Sequence, residues 1–474
     1  MASKSENGAS LRSIRVMLSR ARRSFTFGNK VGDWGVCVTM AAAMKSPLPM
    51  PIEVARGRSP VPFVAQVQGS KSMTNRALLL AAMAKGTTVI HGGLHSDDTE
   101  RLASALAAFG GLRVVATQSG FLIERAQGRL SAPIAPIDLG GSATGARFLL
   151  AFAAVVDGCT VVTGDARLCE RPMSDVLESL AAMGIRCECL RRPGCLPVRV
   201  HGGAPRSRQW SVAASASSQF ASALVLLASQ CEGEVIEIAL TGQVVSQPYL
   251  AMTCSMLRQC GVQVEMSGRT ILVTPTIPAI EQIMVEPDAS SLSYWFAIAA
   301  VTGTTVAAHG IGAASQQGDI GFVNLLSQMG CRTTLAADYV VVTGMPLRGI
   351  DVDLGGQPDV ALTLAVIAPF AQGVTRIRNI AQLRLKESDR IGAAALALAD
   401  MGVLCEVSHD ALIIHPAKVR GAQVRTFGDH RMALSFSIPG LMVPGIVIDD
   451  AGCVSKSFPG YWSELARWRA HHEG

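Results

Sequence analysis

The stretch Gly69-Ser70-Lys71-Ser72-Met73-Thr74-Asn75-Arg76 lies where a short extended segment, residues 63–68, meets an apolar helix predicted over Ala77–Ala84. Two cations and three hydroxyl side chains fall within these eight residues. A helix N-terminus offers free backbone N–H groups and the positive end of the helix dipole, so this junction is expected to bind an anion. It is not a nucleotide P-loop, because Ser70 separates the glycine from the lysine.

The order of elements around this stretch returns along the chain: a nearly all-apolar helix, one glycine, and a β-rich strand. The glycines of the six copies, spaced 70 to 75 residues apart, are Gly86, Gly158, Gly233, Gly303, Gly373 and Gly445. A second helix ending in glycine follows each of the first five, so each copy is interpreted as a βαβαββ unit. Because the first helix of each unit is apolar on every face, it is predicted to be buried beneath covering sheets.

Six units predict two similar α/β domains of three units each, joined near Pro287. Residues 1–50 differ from the rest and are expected to lie outside the fold. They are rich in arginine and serine, with Glu6 and Asp33 as the acids. This composition is typical of an organelle transit peptide, or of upstream sequence preceding a start codon at Met44 or Met50.

The composition excludes several classes of protein. The net charge of +6 suits an anionic small molecule, and no basic run with interleaved aromatic residues predicts binding to nucleic acid. The longest apolar runs, such as Ala361–Ala371, are shorter than the roughly 18–20 residues of a membrane span. Cys187, Cys189 and Cys195 lie near His201, but the alternation Cys187-Glu188-Cys189-Leu190 favours a strand over a metal site. Free thiols indicate a reducing compartment.

Polar segments precede the six apolar helices although the repeat itself does not require them. If the helices point their N-termini the same way, these segments converge and form a strong anion site. They are residues 71–76, 140–147, 215–219, 288–293, 357–359 and 429–431.

These residues belong to a longer series of motifs, by which the chain resembles the 5-enolpyruvylshikimate-3-phosphate (EPSP) synthase family from about Pro51 to the C-terminus. The motifs, in order, are Gly-Ser-Lys-Ser-x-x-Asn-Arg at 69–76, Ser-Asp-Asp-Thr at 96–99, Glu-Arg-Pro-Met at 170–173, Ser-Ser-Gln-Phe at 217–220, Ser-x-Pro-Tyr at 246–249, Asp-Ala-Ser-Ser at 288–291, Pro-Asp at 358–359, Arg-x-Lys-Glu-Ser-Asp-Arg at 384–390, Asp-His-Arg-Met at 429–432 and Lys-Ser-Phe-Pro at 456–459. The resemblance implies the enolpyruvyl transferase fold, an inverse α/β barrel-like arrangement that closes like a clamp. It places residues 51–68 and 287–474 in one discontinuous domain and residues 69–286 in the other.

The resemblance also implies the reaction: the 5-hydroxyl of shikimate 3-phosphate adds to C2 of phosphoenolpyruvate while C3 is protonated, and phosphate then leaves. Asp359, Glu387 and Lys71 match the catalytic residues. Shikimate 3-phosphate is expected to be bound by Lys71, Ser72, Arg76, Ser217, Ser218, Gln219, Ser246, Tyr249, Asp359, Gln382 and Lys386. Phosphoenolpyruvate is expected to be bound by Lys71, Gly141, Ala143, Arg171, Gln219, Arg390, Arg431 and Lys456, because a small anion needs a cluster of cations. No metal or cofactor is expected.

Three positions depart from the family pattern. Gly141 replaces an asparagine and Ala143 a glycine in the family's glycine loop, and Gln382 stands where the family often has asparagine. The herbicide glyphosate occupies the phosphoenolpyruvate site in this family and packs against this loop. An added methyl group at Ala143 in a tightly packed pocket predicts tolerance to glyphosate.

Two other functions remain open from the sequence. The first is enolpyruvyl transfer to UDP-N-acetylglucosamine, whose family uses a cysteine where this chain has Ala166; Cys169 is out of register with it. The second is a non-catalytic binding protein, which the intact Asp359, Glu387 and Lys71 disfavour. We expect a cytoplasmic monomer acting on small molecules, or a plastid protein if residues 1–50 are a transit peptide.

Overall fold

The computed structural model describes Leu48–Pro49 and residues 61–473. Twelve α-helices lie in this part of the chain: Lys71–Met83, Asp97–Ala107, Ala143–Phe152, Ser174–Ala182, Ser218–Ala228, Gln247–Gln259, Ala289–Thr302, Phe322–Gln328, Ala361–Ile367, Arg390–Asp400, His430–Ser437 and Tyr461–Glu473. They alternate between the first and the second helix of the six predicted units. The last of them, Tyr461–Glu473, is the second helix of the sixth unit.

The strands of the described residues form six small sheets, one for each unit. In spatial order, their strands are Gln282–Met284, Gly86–His91, Gly120–Arg125 and Leu112–Thr117; Ile137–Asp138, Cys159–Thr163, Val198–His201 and Cys187–Cys189; Gln209–Ala213, Ile236–Thr241, Thr270–Val273 and Val264–Ser267; Phe63–Val64, Thr305–His309, Tyr339–Thr343 and Arg332–Leu335; Asp351–Asp353, Thr375–Arg378, Leu412–Ile414 and Cys405–Val407; and Gln423–Val424, Val447–Ile448 and Leu48–Pro49. The predicted strand at Cys187–Cys189 is therefore confirmed.

The pairing within each sheet follows one rule. The first two strands in each of these orders are parallel, and the remaining pairs are antiparallel. The strand Phe63–Val64 precedes the N-terminal half in sequence but pairs with Thr305–His309 of the C-terminal half, whereas Gln282–Met284 pairs with Gly86–His91 within the N-terminal half. The chain therefore passes between its two halves twice, near Gly69 and Pro287, which form an isolated bridge with each other.

The glycines that mark the repeat lie at or before the start of the strand that follows each first helix, and Gly303 directly caps the helix Ala289–Thr302. All six of the glycines that follow the first helices have a positive φ, from 74° at Gly303 to 107° at Gly158. Such a conformation suits glycine because it has no Cβ atom. After the second helix of the first unit, however, the residue with positive φ is Gly111 and not the predicted Gly110.

The first helix begins earlier than the sequence predicted. It spans Lys71–Met83, so the cationic stretch forms its first two turns instead of preceding it. Ser70 caps this helix, since its side chain accepts a hydrogen bond from the Met73 backbone N–H at 3.5 Å. Leu78, Leu79 and Leu80 are completely buried on three successive faces, as an all-apolar helix requires.

Buried apolar side chains form two separate cores. The N-terminal core consists of residues between Met73 and Val285, and the C-terminal core consists of Phe63, Ala65 and residues between Ala289 and Trp468. Each core contains the first helices of three units. The structure thus has two similar α/β halves of three units, with the first helices inside and the small sheets around them.

Most of the predicted extension, residues 1–50, lies outside the described residues. Leu48–Pro49 is the exception, because it pairs with Ile448 and Val447 and so adds a third strand to the last sheet. The sheet structure therefore begins before the predicted boundary at residue 50. None of the described helices is long and apolar enough to cross a membrane.

Candidate active site

A cavity of about 50 Å³ lies where helix N-termini meet. Lys71, Ala143, Ser218 and Arg431 line it from the first turns of four first helices, and Asp359 lines it from the turn directly before a fifth. The one remaining first helix among the described residues, Ala289–Thr302, reaches the cavity indirectly. Its Ser290 donates a hydrogen bond to Asp319, and Asp319 also accepts a hydrogen bond from the cavity residue Tyr249. The predicted convergence thus holds directly for five of the six segments.

Most residues of the predicted site line this cavity. They are Lys71, Ser72, Ala143, Arg171, Ser217, Ser218, Gln219, Ser246, Tyr249, Asp359, Lys386, Glu387, Arg390 and Arg431. Gly141 and Lys456 line a larger adjoining cavity of about 1270 Å³, which shares Asp98 with the smaller one. Arg76 and Gln382 are buried and line neither cavity.

Arg76 supports the site from behind instead of facing it. Its side chain donates from Nε to Thr253 Oγ1 (2.7 Å), from Nη1 to the Ser72 carbonyl oxygen (2.8 Å) and from Nη2 to the Tyr249 carbonyl oxygen (3.0 Å). Burial lowers the pKa of this guanidinium to about 10. Arg76 therefore fixes the backbone of two cavity residues, Ser72 and Tyr249.

Asp359 is surrounded by cations. Its Oδ1 accepts from Arg390 Nη1 at 3.2 Å, and its Oδ2 accepts from Arg431 Nη2 at 2.8 Å and from the Tyr249 hydroxyl at 3.3 Å. Burial opposes ionisation, but the positive charges of Arg431 and Lys386 outweigh it and hold the pKa of Asp359 below its usual range. The carboxylate is therefore ionised at neutral pH.

Glu387 is the second carboxylate of the cavity. Arg390 Nη2 donates to its Oε2 at 3.0 Å, while Arg171 Nη1 and Lys456 Nζ lie 3.7 and 4.0 Å from its Oε1. Burial alone would raise its pKa, yet the charges of Arg390 and Arg171 hold that pKa well below the usual range. One guanidinium, that of Arg390, therefore binds both candidate catalytic carboxylates, and Asp429 holds it from the other side at 2.8 Å.

Asp98 is a site residue that the sequence analysis did not single out, although it lies in the Ser-Asp-Asp-Thr motif. Its two carboxylate oxygens lie 3.1 Å from Lys71 Nζ and 3.0 Å from Lys456 Nζ. Lys456 also donates to the Gly141 carbonyl oxygen at 2.7 Å. A Cβ atom at Gly141 would lie 2.9 Å from Lys456 Nζ, so the absence of a side chain there leaves room for the ammonium group.

Gln219 is fixed by two neighbours from the predicted anion-binding segment 140–147, neither of which was named as an individual ligand. Arg147 Nη1 donates to Gln219 Oε1 at 2.6 Å, and Gln219 Nε2 donates to Thr144 Oγ1 at 2.9 Å. Burial, together with the charge of Arg171, lowers the pKa of Arg147 to about 9. The helix Ala143–Phe152, which contains Thr144 and Arg147, therefore orients the predicted ligand Gln219.

Burial and neighbouring charges shift the pKa values of three further ionisable groups. Burial and the neighbouring Asp359 raise the pKa of Asp319 to about 6, and burial lowers that of Lys386 to about 8. Burial and the charge of Lys71 hold the pKa of His430 well below its usual range, so its imidazole is neutral. Neither ring nitrogen of His430 has a hydrogen-bond partner among the described residues, although the side chain lines the cavity.

Five cations and two ionised carboxylates around this cavity are suited to binding anions and moving protons between them. Among the described residues, no group of His, Cys, Asp or Glu side chains has the arrangement of a metal site. Two halves of three repeat units each, with their first helices buried, enclose this cation-lined cavity between helix ends. These features together define the enolpyruvyl transferase class of fold.

Comparisons with known proteins identify the family. Residues 56–465 match the family described as EPSP synthase (3-phosphoshikimate 1-carboxyvinyltransferase). A relative of that name from Methanospirillum hungatei is 37% identical over 416 residues, covering 86% of this chain and 96% of the relative. Another from Edwardsiella ictaluri is 40% identical over 404 residues, covering 84% and 94%.

Solved structures agree with these sequence relatives. An EPSP synthase from Acinetobacter baumannii superposes with a TM-score of 0.73 at 27% identity, covering 88% of this chain and 97% of that one. The enolpyruvyl transferase NikO from Streptomyces tendae, at 17% identity and a TM-score of 0.67, shares the fold. The chain belongs to the EPSP synthase family. It is a 3-phosphoshikimate 1-carboxyvinyltransferase, which transfers the enolpyruvyl group of phosphoenolpyruvate to shikimate 3-phosphate in the shikimate pathway.

Proposed function

We propose that Asp359 and Glu387 carry the two proton transfers of this reaction from opposite sides of the cavity. The observation that carries the proposal is the shared guanidinium of Arg390, which lies 3.2 Å from Asp359 Oδ1 and 3.0 Å from Glu387 Oε2. It fixes the two carboxylates relative to each other, as addition across a double bond requires.

The surroundings of the two carboxylates favour different roles. Asp359 accepts from Tyr249, a proposed ligand of shikimate 3-phosphate, so it is placed to take the proton of the attacking 5-hydroxyl. Glu387 lies near Arg171 and Lys456, proposed ligands of phosphoenolpyruvate, so it is placed to protonate C3. Lys71 and Lys386 then stabilise the negative charge that develops between them.

The low pKa of Glu387 without ligand is compatible with an acid role. Its carboxylate is stabilised by Arg390, Arg171 and Lys456. When the anionic phosphoenolpyruvate binds Arg171 and Lys456, their stabilisation of the carboxylate weakens, and the pKa of Glu387 rises. Substrate binding thus prepares this residue to accept and deliver a proton.

The remaining ligands are assigned by their position. The hydroxyl and amide groups of Ser72, Ser217, Ser218, Gln219, Ser246 and Tyr249, with Lys386, bind shikimate 3-phosphate. Phosphoenolpyruvate is bound by Lys71, Arg171, Arg390, Arg431 and Lys456, with Gly141 and Ala143 forming the loop beside it. Arg76 and Gln382 act from behind the cavity, without touching ligand.

The two halves of the molecule are domains that open to admit the substrates and then close over them. A cavity of about 50 Å³ is a space that a few water molecules would fill, so neither substrate can enter the closed arrangement. We place the domain boundaries near residues 68 and 286, and the two separate cores and the chain crossings near Gly69 and Pro287 support this division. Small-angle scattering should show a larger radius of gyration without shikimate 3-phosphate than with it.

Tolerance to glyphosate is the second part of the proposal. Ala143 lines the cavity at the first position of its helix and is 5% exposed. Its methyl group therefore fills space next to the proposed phosphoenolpyruvate site. We also assign the enzyme to the cytoplasm as a monomer, since its substrates are small metabolites and the cysteines of the described residues are free.

The decisive assay offers the purified protein phosphoenolpyruvate with each of two acceptors, shikimate 3-phosphate or UDP-N-acetylglucosamine. Phosphate release and the mass of the product identify the acceptor. Release with shikimate 3-phosphate alone is expected. Turnover with the nucleotide sugar, or binding without any release, would instead support one of the two alternatives.

A further inference from the structure

Arg167 lies outside the cavity, in the turn between the strand Cys159–Thr163 and the short helix Leu168–Glu170. Its Nε donates to the Glu387 carbonyl oxygen at 3.0 Å, and its Nη2 donates to the Lys386 carbonyl oxygen at 2.9 Å. The planar guanidinium can bind two acceptors at once, which the ammonium of lysine does less well. One side chain therefore holds two consecutive peptide groups.

These two bonds join the halves of the molecule. Leu168, next to Arg167, belongs to the N-terminal core, whereas Leu383 and Ile391, on either side of Lys386 and Glu387, belong to the C-terminal core. The bonds can form only when the two halves approach each other. They are therefore a property of the closed arrangement.

The segment that Arg167 binds has little regular structure of its own. It connects the 3-10 helix Ala381–Leu385 to the helix Arg390–Asp400. Backbone groups that such connections bury need hydrogen-bond partners from elsewhere in the protein. Arg171, in the same region as Arg167, also lies 3.7 Å from the Glu387 carboxylate. One short stretch of the N-terminal half therefore contacts both the backbone and the side chain of Glu387.

A carboxylate orients the arginine itself. Glu170 Oε2 accepts from Arg167 Nη1 at 3.1 Å, which leaves Nε and Nη2 directed at the two carbonyl oxygens. The side chain of Arg167 is 44% exposed and that of Glu170 is 60% exposed. Exposed ion pairs contribute little to overall stability, so this pair is better explained by its effect on orientation.

We propose that Arg167 is a positioning residue that holds the closed arrangement and, through two backbone carbonyls, sets the positions of the Lys386 and Glu387 side chains. This inference rests on the proposed roles of Lys386 and Glu387. Arg167 touches neither substrate. It acts only after the halves close, so it links closure to the completion of the site.

The test compares Arg167→Ala and Arg167→Lys with Arg129→Ala, which removes an exposed arginine that pairs with Asp157 in the same half. We expect Arg167→Ala to lower kcat/KM about ten- to hundredfold, mostly through kcat, with an unchanged Tm. Arg167→Lys should recover part of this loss by binding one carbonyl. Small-angle scattering with shikimate 3-phosphate should show that Arg167→Ala compacts less than Arg129→Ala.

Normal kcat/KM together with normal compaction in Arg167→Ala overturns the proposal, as does a loss that merely follows a lowered Tm. If Arg167→Ala does not fold, Glu170→Gln provides the same test, with an expected loss of about two- to fivefold. Glu387→Gln separates the two hypotheses. If that variant is fully active, the role of Glu387 is wrong, while the scattering comparison still decides whether Arg167 holds the closed arrangement.

Discussion

Asp98 and Lys456 come from opposite halves of the chain, and their charged groups lie 3.0 Å apart. The same carboxylate lies 3.1 Å from Lys71, so one anion holds two cations of the proposed phosphoenolpyruvate site in place. Asp98 is 4% exposed. Its charge therefore acts in a region that water screens little.

Replacing this carboxylate should damage both stability and activity. In Asp98→Asn, two ammonium groups lose their shared counter-ion, and breaking a buried pair from one side typically costs about 3–5 kcal/mol. Since both lysines retain 13–14% exposure, we expect the lower end of that range and at least a tenfold fall in kcat/KM. Thermal unfolding and steady-state kinetics check this, with the exposed Asp157→Asn as control. A variant with normal KM for phosphoenolpyruvate would show that Asp98 does not organise the site.

Removing the proposed acid should affect turnover far more than binding. Glu387→Gln keeps the shape of the side chain and its acceptor oxygen toward Arg390 but cannot deliver a proton. We expect kcat to fall by roughly two or more orders of magnitude, the usual scale for losing a general acid–base group, with little change in KM. Near-normal turnover in a phosphate-release assay would remove Glu387 from the mechanism.

We predict that the methyl group of Ala143 weakens the binding of glyphosate. Overpacking a tight pocket costs about 1–3 kcal/mol, which corresponds to roughly a ten- to hundredfold weaker inhibitor. Phosphoenolpyruvate is shorter and should lose less affinity. The measurement is the glyphosate inhibition constant, competitive with phosphoenolpyruvate, for the wild type and for Ala143→Gly. The steric explanation is wrong if the glycine variant is no more sensitive than the wild type.

The buried Asp319 predicts a specific pH dependence of stability. Its pKa rises from 3.8 to about 6 on folding, so the folded protein holds this proton more tightly than the unfolded chain. The resulting stabilisation is fully present below pH 3.8 and is lost as the pH rises through 6. At 1.36 kcal/mol per pKa unit, the loss is on the order of 3 kcal/mol.

An asparagine at this position cannot ionise. Asp319→Asn should therefore gain stability relative to the wild type between pH 4 and pH 7, while it still accepts hydrogen bonds from Ser290 and Tyr249. Chemical unfolding at several pH values measures the difference. Asp400→Asn, at an exposed position, is the control variant. A constant difference between wild type and Asp319→Asn across this range contradicts the pKa assignment.

Shortening the N-terminus should separate the extension from the fold. A chain beginning at Met44 retains Leu48–Pro49 and should keep the wild-type Tm and activity. A chain beginning at residue 51 loses the pairing with Val447 and Ile448, so its Tm should fall slightly while activity remains. Loss of activity in the longer of these two chains would show that residues before Met44 belong to the working enzyme.

The fold could be predicted from the sequence because six evenly spaced glycines mark six similar units. The motifs likewise located most of the cavity. They could not show that Arg76 faces away from it, since its partners Thr253 and Tyr249 lie in another unit and depend on how the helices pack. The bridge from Asp98 to Lys456 was hidden for the same reason, because it joins distant parts of the chain.

The start of the first helix was missed for a local reason. Lys71, Thr74 and Arg76 interrupt the apolar pattern, which made the helix seem to begin at Ala77. The cap at Ser70 and the burial of Thr74 and Arg76 outweigh that pattern.

The five helix ends around the cavity supply positive charge of a kind that no titration can remove. Lys386, with a pKa of about 8, loses its proton in alkaline solution, and any cationic side chain can be lost by a single mutation. The N–H groups of a helix end belong to the main chain and keep their dipole at every pH and in almost every variant. The site therefore retains a permanent attraction for anions, which evolution can refine with side chains but cannot easily abolish.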